Sequence, residues 1–203
     1  MTIDYLKSSK GDRPICGAMV GPCGTTQQSG FLNVKLGGSV VCESSPNQVP
    51  VVLIDGSERL VVETFTEVGT PSLLMAGAVV SDNESSTLTS IRFVGEVFGQ
   101  DGADERMKIS TVQFPSDTTD SDTLTVGSTL FKLSYFAPTK TLTVTKNAGG
   151  TFSVADGQAL IRLFALNIVA DPPNTTTRYI SIYVNDGTDD SLASAVKVLI
   201  NIA

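Results

Sequence analysis

Apolar and polar residues alternate along residues 31–36, 59–66, 140–145, 178–184 and 194–202, and these stretches are rich in Val, Ile, Thr and Tyr. A two-residue repeat puts one side-chain set on a dry face and the other on a wet face, so each stretch predicts a half-buried strand. Turn formers sit between them: Asp55-Gly56, Asn147 to Gly150, Asp171-Pro172-Pro173-Asn174 and Asn185-Asp186-Gly187. Residues 140–145 and 151–154, joined by the Asn147 turn, read as a hairpin. Only residues 155–166 show helical spacing. Asp156 is placed to cap that segment, and Leu160, Leu163 and Phe164 fall on one face. Many short strands with a single short helix predict an all-β fold, an antiparallel β-sandwich.

Composition narrows the chemistry. The 203 residues contain no histidine, which excludes a Ser-His-Asp triad, a Cys-His dyad and imidazole-ligated zinc. A net charge of -7 disfavours nucleic acid, whose phosphates need clustered Lys and Arg. With 41% hydrophobic and 17% charged residues, the chain is apolar enough to bury a core. The apolar stretches 49–54 and 195–202 are strand-sized, well short of the roughly 20 residues of a spanning helix, so no membrane insertion is expected. The opening residues carry no signal-peptide pattern.

All three cysteines, Cys16, Cys23 and Cys42, lie in the first 42 residues, which marks residues 1–48 as a distinct N-terminal segment. Cys16 and Cys23 flank a Gly/Pro-rich turn and are candidates for a short disulfide loop; Cys42 is then left over. Three inert buried thiols are the alternative. Asn83-Glu84-Ser85 and Asn174-Thr175-Thr176 fit the N-glycosylation acceptor pattern, which points to an extracellular glycoprotein. Extracellular character without a leader predicts a piece of a longer chain.

From residue 49 onward the order of segments is similar to the cadherin-like repeats of large secreted and cell-surface adhesins. The resemblance rests on Leu53-Ile54-Asp55-Gly56, then Glu63-Thr64-Phe65-Thr66-Glu67, then Asp82-Asn83-Glu84-Ser85, an Ala/Leu-rich helical segment near Ala159, and Val184-Asn185-Asp186-Gly187 before the last strand. It covers residues 49–203 and implies a cadherin/immunoglobulin-like sandwich in which residues 1–48 are extra strands or the end of a preceding repeat. It also implies adhesion or scaffolding with bound calcium, and partners that are neighbouring repeats or identical subunits. Carried over residue by residue, the metal ligands are Glu67, Asp82, Glu84 and Asp186. Calcium takes 6–8 oxygen ligands, which alternating acids in a loop can supply.

Each acid has a plainer role as well: Asp82 capping its own turn, Glu67 at a strand end, Asp186-Gly187 forming a hairpin turn. Residues 186–190 read as a second cation site or a wet loop, residues 101–105 likewise, and residues 117–122 as an exposed acidic Ser/Thr loop. A carboxylate-based glycosidase needs no histidine, but such sites stack sugars on aromatics, and only 6% of this chain is aromatic, with no Trp. The sequence therefore points to a non-catalytic calcium-dependent adhesion module. The alternative is a self-assembling subunit of an extracellular aggregation particle, with glycans as further partners.

Overall fold

The predicted alternating stretches become strand at Leu60–Thr66, Thr141–Lys146, Arg178–Asn185 and Ser194–Asn201. The computed structural model describes residues 32–33, 41–42, 48–56, 58–66 and 71–201. The chain divides into two units, Met1–Asn47 and Gln48–Ala203. Cys16 and Cys23 lie outside the described residues, as does Glu67.

In the first unit, β1 (Leu32–Asn33) pairs antiparallel with β2 (Val41–Cys42). In the second unit the strands follow as β3 (Val51–Leu53), β4 (Leu60–Thr66), β5 (Ser72–Leu73), β6 (Val79–Ser81), β7 (Thr87–Leu88) and β8 (Ser90–Val97). After them come β9 (Glu105–Ile109), β10 (Val112–Pro115), β11 (Asp120–Val126), β12 (Thr129–Phe136), β13 (Thr141–Lys146) and β14 (Phe152–Ser153). The helix α1 (Val154–Arg162) precedes β15 (Phe164–Ile168), β16 (Arg178–Asn185) and β17 (Ser194–Asn201).

A wide sheet runs β11-β12-β13-β8-β16-β17-β4, and a narrower one runs β10-β9-β15-β5. Their inner faces meet in one apolar core. Phe93 of β8 stacks on Phe164 of β15 with centroids 4.3 Å apart, and Phe114 of β10 meets Tyr135 of β12 at 5.9 Å. Leu142 and Val144 of β13 point inward and are fully buried, while Thr141, Thr143 and Thr145 between them face out. The architecture is the expected all-β sandwich. One pair departs from the antiparallel rule: β17 runs parallel to β4, Ala195 beside Leu60 through Asn201 beside Thr66.

Where β8 meets β16 the register shifts between Tyr179 and Ile180, which pair with Val97 and Gly95. A bulge needs the backbone close to its neighbours here. A Cβ on Gly95 would lie 2.5 Å from Phe98 Cβ, so only glycine fits without a shift.

Three sequence expectations change. Residues 140–145 and 151–154 do not form a hairpin, because β13 pairs with β12 and β8, while β14 pairs with β7. Long partners on both sides of β13 outweigh a local turn. Residues 120–122 belong to edge strand β11 rather than to a loop; they are exposed, and their acids suit a solvated sheet edge. The helix starts at Val154, two residues before Asp156. Ser153 is its N-cap and accepts the Asp156 N–H at 3.0 Å, which leaves Asp156 in the first turn to accept the Thr129 hydroxyl at 2.9 Å. The segment ends at Arg162, and Phe164 begins a strand that pairs with β9 and β5. Substituting Ser153→Ala should cost about 1 kcal/mol, read as a lower midpoint in urea unfolding, because it strands a first-turn N–H.

Candidate functional site

Strand β6 ends at Ser81, and the chain turns at Asp82. The carboxylate makes the turn: its Oδ1 accepts the N–H groups of Glu84 at 3.0 Å and Ser85 at 3.1 Å. A short carboxylate bonding two and three residues ahead is a favourable way to reverse the chain. Ser85 continues the turn by donating its hydroxyl to Thr87 O at 2.8 Å. Asp82 Oδ2 is enclosed and has no hydrogen-bond partner. A carboxylate oxygen withdrawn from water without a donor is costly, and it marks a place for a proton donor or a cation.

Two contacts tie the loop to the start of the second unit. Gln48 N–H donates to Glu84 Oε2 at 3.0 Å, and Asn83 Nδ2 donates to Gln48 Oε1 at 3.0 Å. The helix fixes the other side. Val154 N–H donates to Ser86 O at 3.0 Å, and Gln158 Oε1 accepts Val80 N–H at 3.0 Å. Between loop and helix lies an open groove of about 790 Å³ whose lining includes Ser81, Asp82, Glu84, Ser86, Ser153 and Gln158. Its lining mixes hydroxyl, carboxamide and carboxylate oxygens, which a hard cation uses, with the apolar side chains of Val80, Val154 and Ala155.

Asp82 and Glu84 thus share one loop. Asp186 stands in a different one, between β16 and β17, where its Oδ1 accepts the N–H groups of Thr188 at 2.7 Å and Asp189 at 2.9 Å. Gly187 has φ +109°, as the Asp-Gly turn reading requires. The neighbouring Asp190 pairs with Arg92 at 2.5 Å and accepts Asn185 Nδ2 at 3.0 Å. Among the described residues, no three Asp, Glu, Cys or His side chains gather at one point. Sequence reading passed over Gln48, Ser153 and Gln158, which wall the Asp82 loop. Ser85 was legible, since Asp followed three residues later by Ser is a turn pattern.

The other acidic segment, residues 101–105, is no wet loop. Arg178 is fully buried and all five of its N–H donors are used. Nε and Nη2 reach the two Glu105 carboxylate oxygens, each at 2.9 Å, and Nη2 also reaches Asp101 Oδ2 at 2.6 Å. Nη1 donates to the carbonyls of Asn174, at 3.0 Å, and Thr176. Glu105 is itself fully buried, and its Oε2 accepts Gln100 N–H at 2.9 Å. The planar guanidinium thus locks a β16 residue to β9 and to two loops. Beside this cluster Tyr135 donates its hydroxyl to Ser116 O at 3.0 Å. Burial, then Glu105 and Asp117, push its titration upward, so it stays a neutral donor. The cluster is saturated and enclosed, which makes it a structural clamp.

The fold and the Asp82 loop define an all-β sandwich with a groove of mixed polar and apolar lining between that loop and its helix. Comparison with family models, curated proteins and solved structures finds no match. Among the described residues, no helix is long and apolar enough to cross a membrane.

Proposed function

We propose that the second unit is an extracellular adhesion or scaffolding module stabilised by calcium at the Asp82 loop, one unit of a larger surface or matrix protein. The observation that carries this reading is the enclosed, partnerless Asp82 Oδ2 beside a groove whose lining includes further carboxylate, hydroxyl and carboxamide oxygens. Asp82 and Glu84 would hold the ion, and the serine hydroxyls and main-chain carbonyls of the groove are further oxygens of the right hardness. Bound calcium would neutralise the carboxylate and join the loop to Gln48, stiffening the point where the second unit begins. The sandwich, the short helix α1 and the Asn-Asp-Gly turn before β17 are compatible with the cadherin-like resemblance, and the net charge of -7 suits a cation-dependent protein.

A second reading, self-assembly into a particle, is favoured by β4. It lies at an end of the wide sheet and exposes Leu60 and Val62, at 60% and 55%, where β11 at the opposite end carries acids. Oligomers that grow with concentration in calcium-free buffer would mark that reading.

The calcium proposal is tested by melting. A ligand bound only by the native state stabilises by RT ln(1 + [L]/Kd), so calcium at about ten times Kd adds about 1.4 kcal/mol. For a unit of this size that raises Tm by about 3–6 °C over the chelator-treated protein. An unchanged Tm at 10 mM calcium, roughly ten times the weakest Kd usual for extracellular modules, overturns it.

A further inference from the structure

The two acceptor triplets for N-linked sugar, Asn83-Glu84-Ser85 and Asn174-Thr175-Thr176, differ sharply in how the fold holds them. Asn174 is exposed on the connection between β15 and β16. Its main chain is pinned: its N–H donates to Asp101 Oδ1 at 2.8 Å, and its carbonyl accepts Arg178 Nη1 at 3.0 Å. Its side-chain Oδ1 turns back to accept Thr176 N–H at 2.9 Å, which leaves the amide nitrogen directed away from that turn. The reactive atom is therefore displayed on a rigid base, and the main-chain bonds that matter to the fold do not involve it.

Asn83 has the opposite arrangement. Its amide nitrogen is engaged, donating to Gln48 Oε1 at 3.0 Å. The hydroxyl of its triplet, Ser85 Oγ, donates to Thr87 O at 2.8 Å and accepts Thr87 N–H at 3.1 Å. Asn83 also borders the groove beside Asp82 and Glu84, so a sugar chain there would break the tie to Gln48 and crowd the loop. A bulky hydrophilic group is tolerated where it stays in solvent and displaces no contact.

We propose that Asn174 is the N-glycosylated residue of this unit and that Asn83 stays unmodified. The proposal rests on the extracellular reading above. In the reaction a bond forms between Asn174 Nδ2 and the anomeric carbon of the first sugar. The bond from that carbon to phosphate breaks, a lipid-linked pyrophosphate leaves with the electron pair, and Nδ2 gives up one proton. The co-reactant is a lipid-pyrophosphate-linked oligosaccharide, and nothing is oxidised or reduced.

The test directs the full chain through a eukaryotic secretory pathway behind an added leader and measures the intact mass and tryptic glycopeptides of the secreted protein. One glycan at Asn174 is expected. It should be lost in Asn174→Gln, retained in Thr176→Ser and unaffected by Asn83→Gln. The Asn174→Gln protein, made unglycosylated in bacteria, should melt close to the wild type, since it loses only the exposed Oδ1 bond to Thr176 N–H while the main-chain bonds to Asp101 and Arg178 stay. A folded, secreted chain bare at Asn174, or one equally modified at Asn83, overturns the proposal. Because the leader forces export, failure here is separate from failure of the calcium reading, which the melting experiment decides in unglycosylated protein.

Discussion

Replacing Arg178 by methionine should lower the unfolding free energy by about 3–5 kcal/mol, the cost of leaving a buried charge without its partner. The mutant keeps most of the volume but strands Glu105, which has no exposed surface, and Asp101, and it removes the donors that hold the Asn174 and Thr176 carbonyls. The double variant Arg178→Met with Glu105→Met should recover part of the loss, because it removes the stranded Glu105 charge but still leaves Asp101 and the Asn174 and Thr176 carbonyls without their donor. Urea unfolding of the four proteins of this cycle measures the coupling. If the single variant unfolds at the wild-type midpoint, the clamp contributes nothing and its full set of bonds is incidental. The clamp also has a positional consequence: the connection before β16 should become open to limited proteolysis in Arg178→Met while the strands stay protected.

Phe164→Ala should also cost about 3–5 kcal/mol, here through lost burial and a cavity rather than a stranded charge. Phe164 is fully buried and stacks on Phe93 with ring planes 6° apart, at the place where the two sheets meet. Neither sheet can close onto the other without moving both strands, so the site has little freedom to collapse. A cycle with Phe93→Ala should show a coupling of about 0.5–1.5 kcal/mol beyond area burial, as for other aromatic pairs. Additive losses in urea unfolding would mean that the two rings act independently and that the sheets are joined elsewhere. The two predictions differ in salt dependence as well. Removing the phenyl ring should cost the same at low and high ionic strength, because no charge is involved.

Strand positions were legible wherever one face is wet, because alternation records the difference between faces. Residues 60–66, 178–185 and 194–201 show it directly. The pattern fails at β15, where all five residues from Phe164 to Ile168 are buried, and a run without a polar phase reads as the end of a helix. Ser153 was missed as the cap because Asp156, an equally good capping type, lies three residues on, and only tertiary contacts decide where the first turn begins. Pairing partners were not legible at all. The hairpin expected after β13 gave way to distant strands that offer longer ladders.

At the candidate site, local chemistry was readable and assembly was not. Asp82 to Ser85 announces a turn through its own residue types, and the carboxylate does bond ahead to Glu84 and Ser85. That Gln48 and Gln158 would wall the same loop depends on contacts spanning 36 and 78 positions, which no short motif encodes. Glu105 shows the converse. In sequence it belongs to an acidic run that looks wet, and only Arg178, 73 positions away, explains how a carboxylate lies fully buried. Charge runs report solvation only when no opposite charge folds against them.

The most direct test of the calcium reading is a calorimetric titration of the chelator-treated chain, wild type against Asp82→Asn. Asparagine keeps the Oδ1 that forms the turn and replaces only the partnerless oxygen, so the fold and the chelator-state Tm should persist. The wild type should bind calcium with Kd of about 10⁻⁴–10⁻³ M, and the variant about tenfold more weakly or not at all. Equal titration curves for the two proteins, or no heat from either, would contradict it.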